Sequence, residues 1–302
     1  MIKGGHISKI SESLKAEMSD DEKEQHDKDY KALLALFIAL LKKIDDDISR
    51  EEALKELAAL RTQIAMRHLF EGMKIDNDRA LQLLKNIDDN NLTKHDIEMR
   101  DRLVAAVENL SEFSTAEEYQ LMKKAVKLHE SGYGIDFNDE EIMEEYYDLC
   151  EKYNSTYASV ENQDITFAAS IALWWIGMAE NTWLTYMTQN DDRVRPWHFA
   201  LQGFTERKIN FPEWMIPPIE WGCRCFLESN EGWIYAREND IKKAQAKVPE
   251  KPKEIDGVFE ESLAKCGRIF GKKHPYFKVD KADVGMLKRI AKNIKKKYYG
   301  KD

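Results

Sequence analysis

The chain has 302 residues, enough for a sizeable core and for one large or two ordinary domains. Its four cysteines, Cys150, Cys223, Cys225 and Cys266, are too few for a disulfide framework, so a reducing, intracellular setting is expected. The formal net charge is −9, but residues 241–302 hold 18 Lys and Arg against 8 Asp and Glu, an excess of ten that leaves residues 1–240 at −19.

The N-terminus, MIKGGHISKISESLK, has no apolar h-region of the kind that directs secretion. The longest apolar stretch near it, Ala32 to Leu41, is about half of what crosses a bilayer, so no membrane association is expected. Residues 1–160 read as helix after helix, a helical docking domain. Tyr30 to Ile44 is apolar nearly all round, which predicts a helix covered by neighbours or by a partner chain. Glu51 to Met73 carries Leu54, Leu57, Leu60, Ile64 and Leu69 at helical spacing, with Ser49 as the expected cap. Further amphipathic stretches follow at Asp78–Ile87, Thr93–Leu110, Ser114–Ser131 and Asp139–Tyr153, separated by Asp-, Asn- and Gly-rich loops at 88–91 and 131–139. Acidic neighbours such as Glu117 with Glu118, or Glu140 with Glu141, have no His or Cys at ligand spacing and are expected on solvent faces. The acidic string at 140–153 lacks the alternating oxygens and central Gly of a calcium loop.

The texture changes near Asp164. Residues 165–189 are expected to form an apolar helix, interrupted by Glu180, Asn181 and Gln189 and so not a membrane span. Beyond it Pro196, Gly203, Pro212, Pro217, Pro218 and Gly222 break the chain every few residues. All seven tryptophans lie between Trp174 and Trp233, so either tryptophan packing or a metal is expected to order this stretch. A linker at 244–254 leads to GRIFGKKHPYFKV at 267–279. The expected fold is mainly α: a helical N-terminal half, then a small α+β, loop-rich domain over 161–285. Residues 286–302 form a basic C-terminal tail. Its Lys288, Arg289, Lys292, Lys295, Lys296 and Lys297 are compatible with DNA contact, whereas Met286, Ile290 and Ile294, four apart, fit a solvated amphipathic helix.

The candidate chemistry sits between Asp191 and Cys225. On an extended strand Cys223 and Cys225 point one way and Arg224 the other. Two same-face thiolates supply half of a tetrahedral zinc site, with His198 and an aspartate, Asp191 or Asp192, as further ligands. A single residue between paired cysteines is shorter than the usual structural-zinc spacing, and two small buried thiols are the alternative. Arg193 and Arg195 share the parity of Asp191, so an extended strand would join the three in a charge-paired strut. A Cys–His nucleophile using His198, or a His–Glu nuclease pair using His198 with Glu206 or Glu220, is conceivable, but no accompanying catalytic motif is present.

Taken in order, Trp183, DDRVRPWHFALQG at 191–203, FPEW at 211–214, Pro217–Pro218 and CRC at 223–225 resemble the phage Mu F-like minor head proteins, the phage head morphogenesis family. GRIFGKKHPYF at 267–277 resembles a tail segment of prophage members, so the resemblance spans about residues 165–280. It implies a non-enzymatic minor capsid protein acting with portal, capsid or scaffold proteins at the portal vertex, in the virion and in host cytoplasm during assembly. Arg193, Arg195, Gly203, Pro217, Pro218 and Arg224 would be its structural motif, and the His and Cys positions would be metal ligands, with zinc as cofactor. Where relatives carry an Arg-Thr-Glu run this chain has WWIGMAENTW at 174–183, which puts in doubt any activity of that upstream helix. A prophage-encoded zinc-dependent or Cys–His enzyme is the alternative function.

Overall fold

The computed structural model describes residues 4–85, 89–130, 135–229 and 257–299. The fold is mainly α, with a helical N-terminal half and one small sheet in the C-terminal part. In chain order the elements are α1 (Gly4–Glu17), α2 (Asp20–Leu41), α3 (Asp47–Gly72), α4 (Asn77–Lys85), α5 (Lys94–Glu130), α6 (Glu140–Glu151), α7 (Ala158–Ile176), β1 (Trp183–Met187), α8 (Pro196–Phe199), β2 (Thr205–Arg207), β3 (Phe226–Ser229) and α9 (Val284–Tyr299). Two compact units result, and they interleave in sequence: one comprises residues 1–68, 107–163 and 274–302, the other 69–106 and 164–273. The contiguous segments 1–160, 161–285 and 286–302 expected from composition are therefore not the compact bodies. Three of the four unit boundaries fall inside α3, α5 and α7, helices too long for composition to reveal where their packing partners change.

In the first unit, α2 begins with a capping box in which Ser19 accepts from the Glu22 amide while the Glu22 carboxylate accepts from the Ser19 amide. It buries Leu33, Phe37, Leu40 and Leu41, while Ala32 and Ala35 are exposed, so neighbours within the chain cover it on one side only. Ser49 lies inside α3 and is not its cap. The two helices expected at 93–110 and 114–131 are one helix, α5. Its central Thr115 donates to the Ser111 carbonyl at 2.7 Å, so this hydroxyl returns its hydrogen bond to the helix without ending it. Asp139 caps α6 by accepting from the Glu141 and Ile142 amides, and a π-helical segment, Lys152–Tyr157, joins α6 to α7.

Glu117 and Glu118 correct the solvent-face expectation, since both are fully buried. Arg61, also buried, donates from Nε to Glu117 Oε2 at 2.8 Å, and its terminal nitrogens donate to Glu161 Oε2 and Asn162 Oδ1, each at 2.9 Å. The Tyr276 hydroxyl donates to Glu161 Oε1 at 3.0 Å. Burial, followed by the neighbouring Glu117 charge, raises the Glu118 and Glu161 carboxyls well above the ordinary range, which favours their protonated forms. The basic C-terminal stretch is α9, with Leu287, Ile290, Ala291 and Ile294 buried, so it is an amphipathic helix and not a free tail. Lys288, Arg289, Lys292, Lys296 and Lys297 are exposed along it, while Lys295 is partly covered and bonded to Glu108.

In the second unit, Thr93 and Asp96 form a reciprocal box at the start of α5. The expected helix over 165–189 stops at Ile176, and residues 183–187 are β1, the central strand of an antiparallel sheet in the order β2-β1-β3. Glu180 and Asn181 fall in the turn between them, and WLTYM pairs with both neighbours, so the tertiary pairing overrides its apolar helical look. Aromatic contacts support the irregular stretch: Trp175 meets Phe211 edge-on at 6.4 Å, and Trp221 packs on Phe259 at 5.1 Å and on Phe270 at 5.5 Å. Lys208 is buried, with Nζ donating to the Met178 carbonyl at 2.7 Å and to Glu180 at 2.8 Å. The expected linker at 244–254 and Trp233 lie outside the described residues. No helix among the described residues is long and apolar enough to cross a membrane.

Candidate metal centre

Three pieces of irregular chain in the second unit bring the chemistry together. Arg195 is extended, and Pro196, whose fixed φ suits a helix start, opens the single turn of α8 that carries His198 inward. Gly203, at φ +83°, then reverses the chain, its amide donating to the Tyr186 carbonyl at 2.8 Å. Nothing lies near a Cβ at this glycine, so its need is for the left-handed backbone rather than for space. After the cis Pro217–Pro218 step, Gly222 at φ +61° turns residues 223–225 toward β3, and its amide donates to both oxygens of the buried Asp164 at 3.1 Å.

His198, Cys223 and Cys225 are 2%, 4% and 3% exposed. His198 Nδ1 lies 3.3 Å from Cys225 Sγ and 3.8 Å from Cys223 Sγ, and the three candidate ligand atoms fall within 4.8 Å of one another. Tetrahedral zinc with its usual bond lengths separates nitrogen and sulfur ligands by about 3.5–3.8 Å, so small movements would complete the spacing. On its other side, His198 Nε2 faces Glu220 Oε2 at 3.2 Å. A carboxylate only accepts, so it selects the tautomer with the proton on Nε2 and leaves the Nδ1 lone pair directed at the sulfurs. The same Glu220 oxygen receives Trp197 Nε1 and Arg195 Nε, both at 3.1 Å, and Arg195 also donates to the Trp221 carbonyl at 2.6 Å.

The electrostatics follow from this packing. Burial and the neighbouring sulfur raise the Cys223 thiol, whereas hydrogen bonding from Cys223 lowers Cys225, making Cys225 the readier thiolate. Burial alone would lower His198, but its contacts with Cys223 and Glu220 outweigh that and raise it. Burial acts upward on Glu220 as well, and the bond from His198 and the Arg195 charge bring it below the usual range. The donor set of one buried imidazole nitrogen and two buried sulfurs, with a carboxylate behind the imidazole, suits a soft or borderline divalent metal.

The expected Asp191 ligand is not part of this group. Residues 191–194 form a turn, with the Val194 amide donating to the Asp191 carbonyl at 3.1 Å, so the extended DxRxR face does not exist. Asp191 is exposed and accepts from Arg224 NH2 at 2.7 Å through both oxygens; that bond holds its carboxyl below the usual range. Asp192 is likewise exposed and lies outside the group. The strut is therefore Asp191–Arg224 together with Arg195–Glu220, while Arg193 contributes its amide to Asp191 at 3.1 Å. Arg224 does face away from the two buried thiols, in keeping with their alternation. Of the two glutamates weighed beside His198, Glu220 is in contact and Glu206 instead accepts from the Arg207 amide. Sequence reasoning missed Asp164 and Tyr186. Both fall in the stretch read as one helix or at its edge, and a strand reading of WLTYM was the signal that would have placed Tyr186 on a sheet face. Searches of family models, curated proteins and solved structures find no match to this chain.

Proposed function

We propose that this chain is a phage minor head protein of the Mu F-like type, a non-enzymatic virion component acting with portal and capsid or scaffold proteins, whose loop-rich region is stapled by zinc. One observation carries the reading: residues belonging to the ordered motif, His198 and the CRC pair, lie 25 to 27 positions apart in sequence yet meet in one buried cluster. A motif whose distant members converge is a structural unit, and the enclosed ligands favour a closed structural metal over a catalytic one with an open position. The Cys–His nucleophile and nuclease readings are correspondingly weakened, because such groups need access to substrate.

Sedimentation of proheads from a phage-producing cell tests the function. The protein is expected to cosediment with portal-containing heads, and its absence from heads, with heads assembling normally when its gene is deleted, would defeat the proposal. Metal analysis of the purified protein tests the staple separately, with about one zinc per chain expected. A second reading, contact with packaged DNA, is favoured by the exposed lysines of α9. Charge reversal at Lys288, Lys292 and Lys296 is then expected to weaken DNA binding and flatten its salt dependence by roughly one unit of slope per lost phosphate contact.

A further inference from the structure

The geometry points to Tyr186 as the fourth ligand of this metal centre, through its phenolate oxygen; this rests on the zinc reading above. Tyr186 is in β1 opposite Leu227 of β3, and Cys225 lies two residues before Leu227, just ahead of the strand, where Cys223, Cys225 and Leu227 are buried in alternation. The side chain is completely buried. Its phenol lies against the Cys225 sulfur, and both thiols act on it electrostatically. Apart from that contact with sulfur, its hydroxyl has no hydrogen-bond partner. A thiol is a weak partner for a buried hydroxyl, and buried tyrosines usually find a stronger one. Three protein ligands leave one tetrahedral position to fill, and this oxygen, met by nothing stronger than sulfur, lies beside them.

Asp191 and Asp192 are exposed, and Asp164 has both oxygens engaged by the Gly222 amide. Coordination would replace the phenolic proton by the metal, the proton leaving to solvent, with no change of oxidation state. The centre would then have an N, S, S, O donor set and no position for solvent, as a closed structural site requires.

The test adds zinc, and separately cobalt(II), to the metal-free full-length protein and to Tyr186→Phe, which keeps the ring and removes only the oxygen. In the wild type, metal addition is expected to produce the ultraviolet difference band of tyrosinate, and azide is expected to leave the cobalt spectrum unchanged. In Tyr186→Phe the band is expected to vanish, zinc affinity to fall by about 10- to 100-fold or more, and azide to perturb the cobalt spectrum through the opened position. Zinc binding by the wild type with no tyrosinate band and with azide access would overturn the Tyr186 assignment while leaving the zinc reading standing. No zinc binding by folded wild type, with Cys223→Ser behaving identically, would overturn both. Circular dichroism of each metal-free protein shows whether a variant has folded.

Discussion

His274 shows how much one enclosed side chain can govern. It packs edge-on to Phe113 at 5.0 Å and to Tyr276 at 4.4 Å, and its Nδ1 accepts from the Tyr276 amide at 3.2 Å. Burial lowers its pKa from 6.5 to about 3. The unfolded chain therefore takes up this proton first as pH falls, so the stabilisation is complete above the unfolded value and drains away between about pH 6.5 and pH 3. That difference amounts to roughly 4–5 kcal/mol across the window. His68, lowered to about 4 by burial and then by Arg67 and Arg61, adds in the same direction. His274→Asn keeps an acceptor for the amide but cannot titrate. Urea unfolding at a series of pH values is expected to show a shallower acid slope for the variant, whatever its absolute stability. Parallel slopes would mean that His274 is not the group being protonated.

At the scale of elements, the Arg61 cluster ties α3 to α5 and α7 within the first unit. Removing the guanidinium leaves Glu117, Glu161 and Asn162 buried without the group they bond, and breaking such a network costs about 3–5 kcal/mol. Arg61→Met is expected to lose about that much in chemical denaturation, far more than a substitution of exposed Lys292. Glu118→Gln should behave differently. Because burial raises the Glu118 pKa, the acid is stabilising at and below the ordinary carboxylate range and becomes progressively less so as pH rises. Gln mimics the neutral acid and cannot ionise. Its stability relative to wild type is thus expected to improve from acid to neutral pH, and a falling difference would contradict the protonated assignment. Such a cluster on three helices is invisible to amphipathic pattern reading, which assigns charge to the outside.

For the whole molecule, metal removal and charge make separate statements. The chain is acidic, yet six of its basic residues lie on a folded helix, α9, whose apolar side is buried. Zinc would tie only the second unit's loops, where regular backbone pairing is sparse and side-chain contacts supply the order. Chelation is therefore expected to increase amide exchange across residues 191–225 while protection in α1 and α2 stays as it was. Equal loss of protection in both regions would mean that the metal supports the whole fold, and no change would mean that aromatic packing alone holds the loops.

Composition and periodicity were enough to show a mainly helical chain and a change of texture near Asp164, because apolar spacing follows directly from the helical repeat. The residue types His198, Cys223 and Cys225, and the breaks between them, likewise marked where the site is. Other features depended on neighbours distant in sequence. Thr115 lies inside one continuous helix where two stretches were expected, and its hydroxyl bonds within that helix. WLTYM is a strand because β2 and β3 pair with it, and only that pairing brings Tyr186 to the sulfurs. Asp191 was removed from the ligand set by a local turn and by Arg224, and Glu117 meets, inside the core, an arginine 56 positions away. A carboxylate has the same local sequence signature on either side of a helix; its burial is decided by whether the packed structure supplies a cation or a proton to meet it.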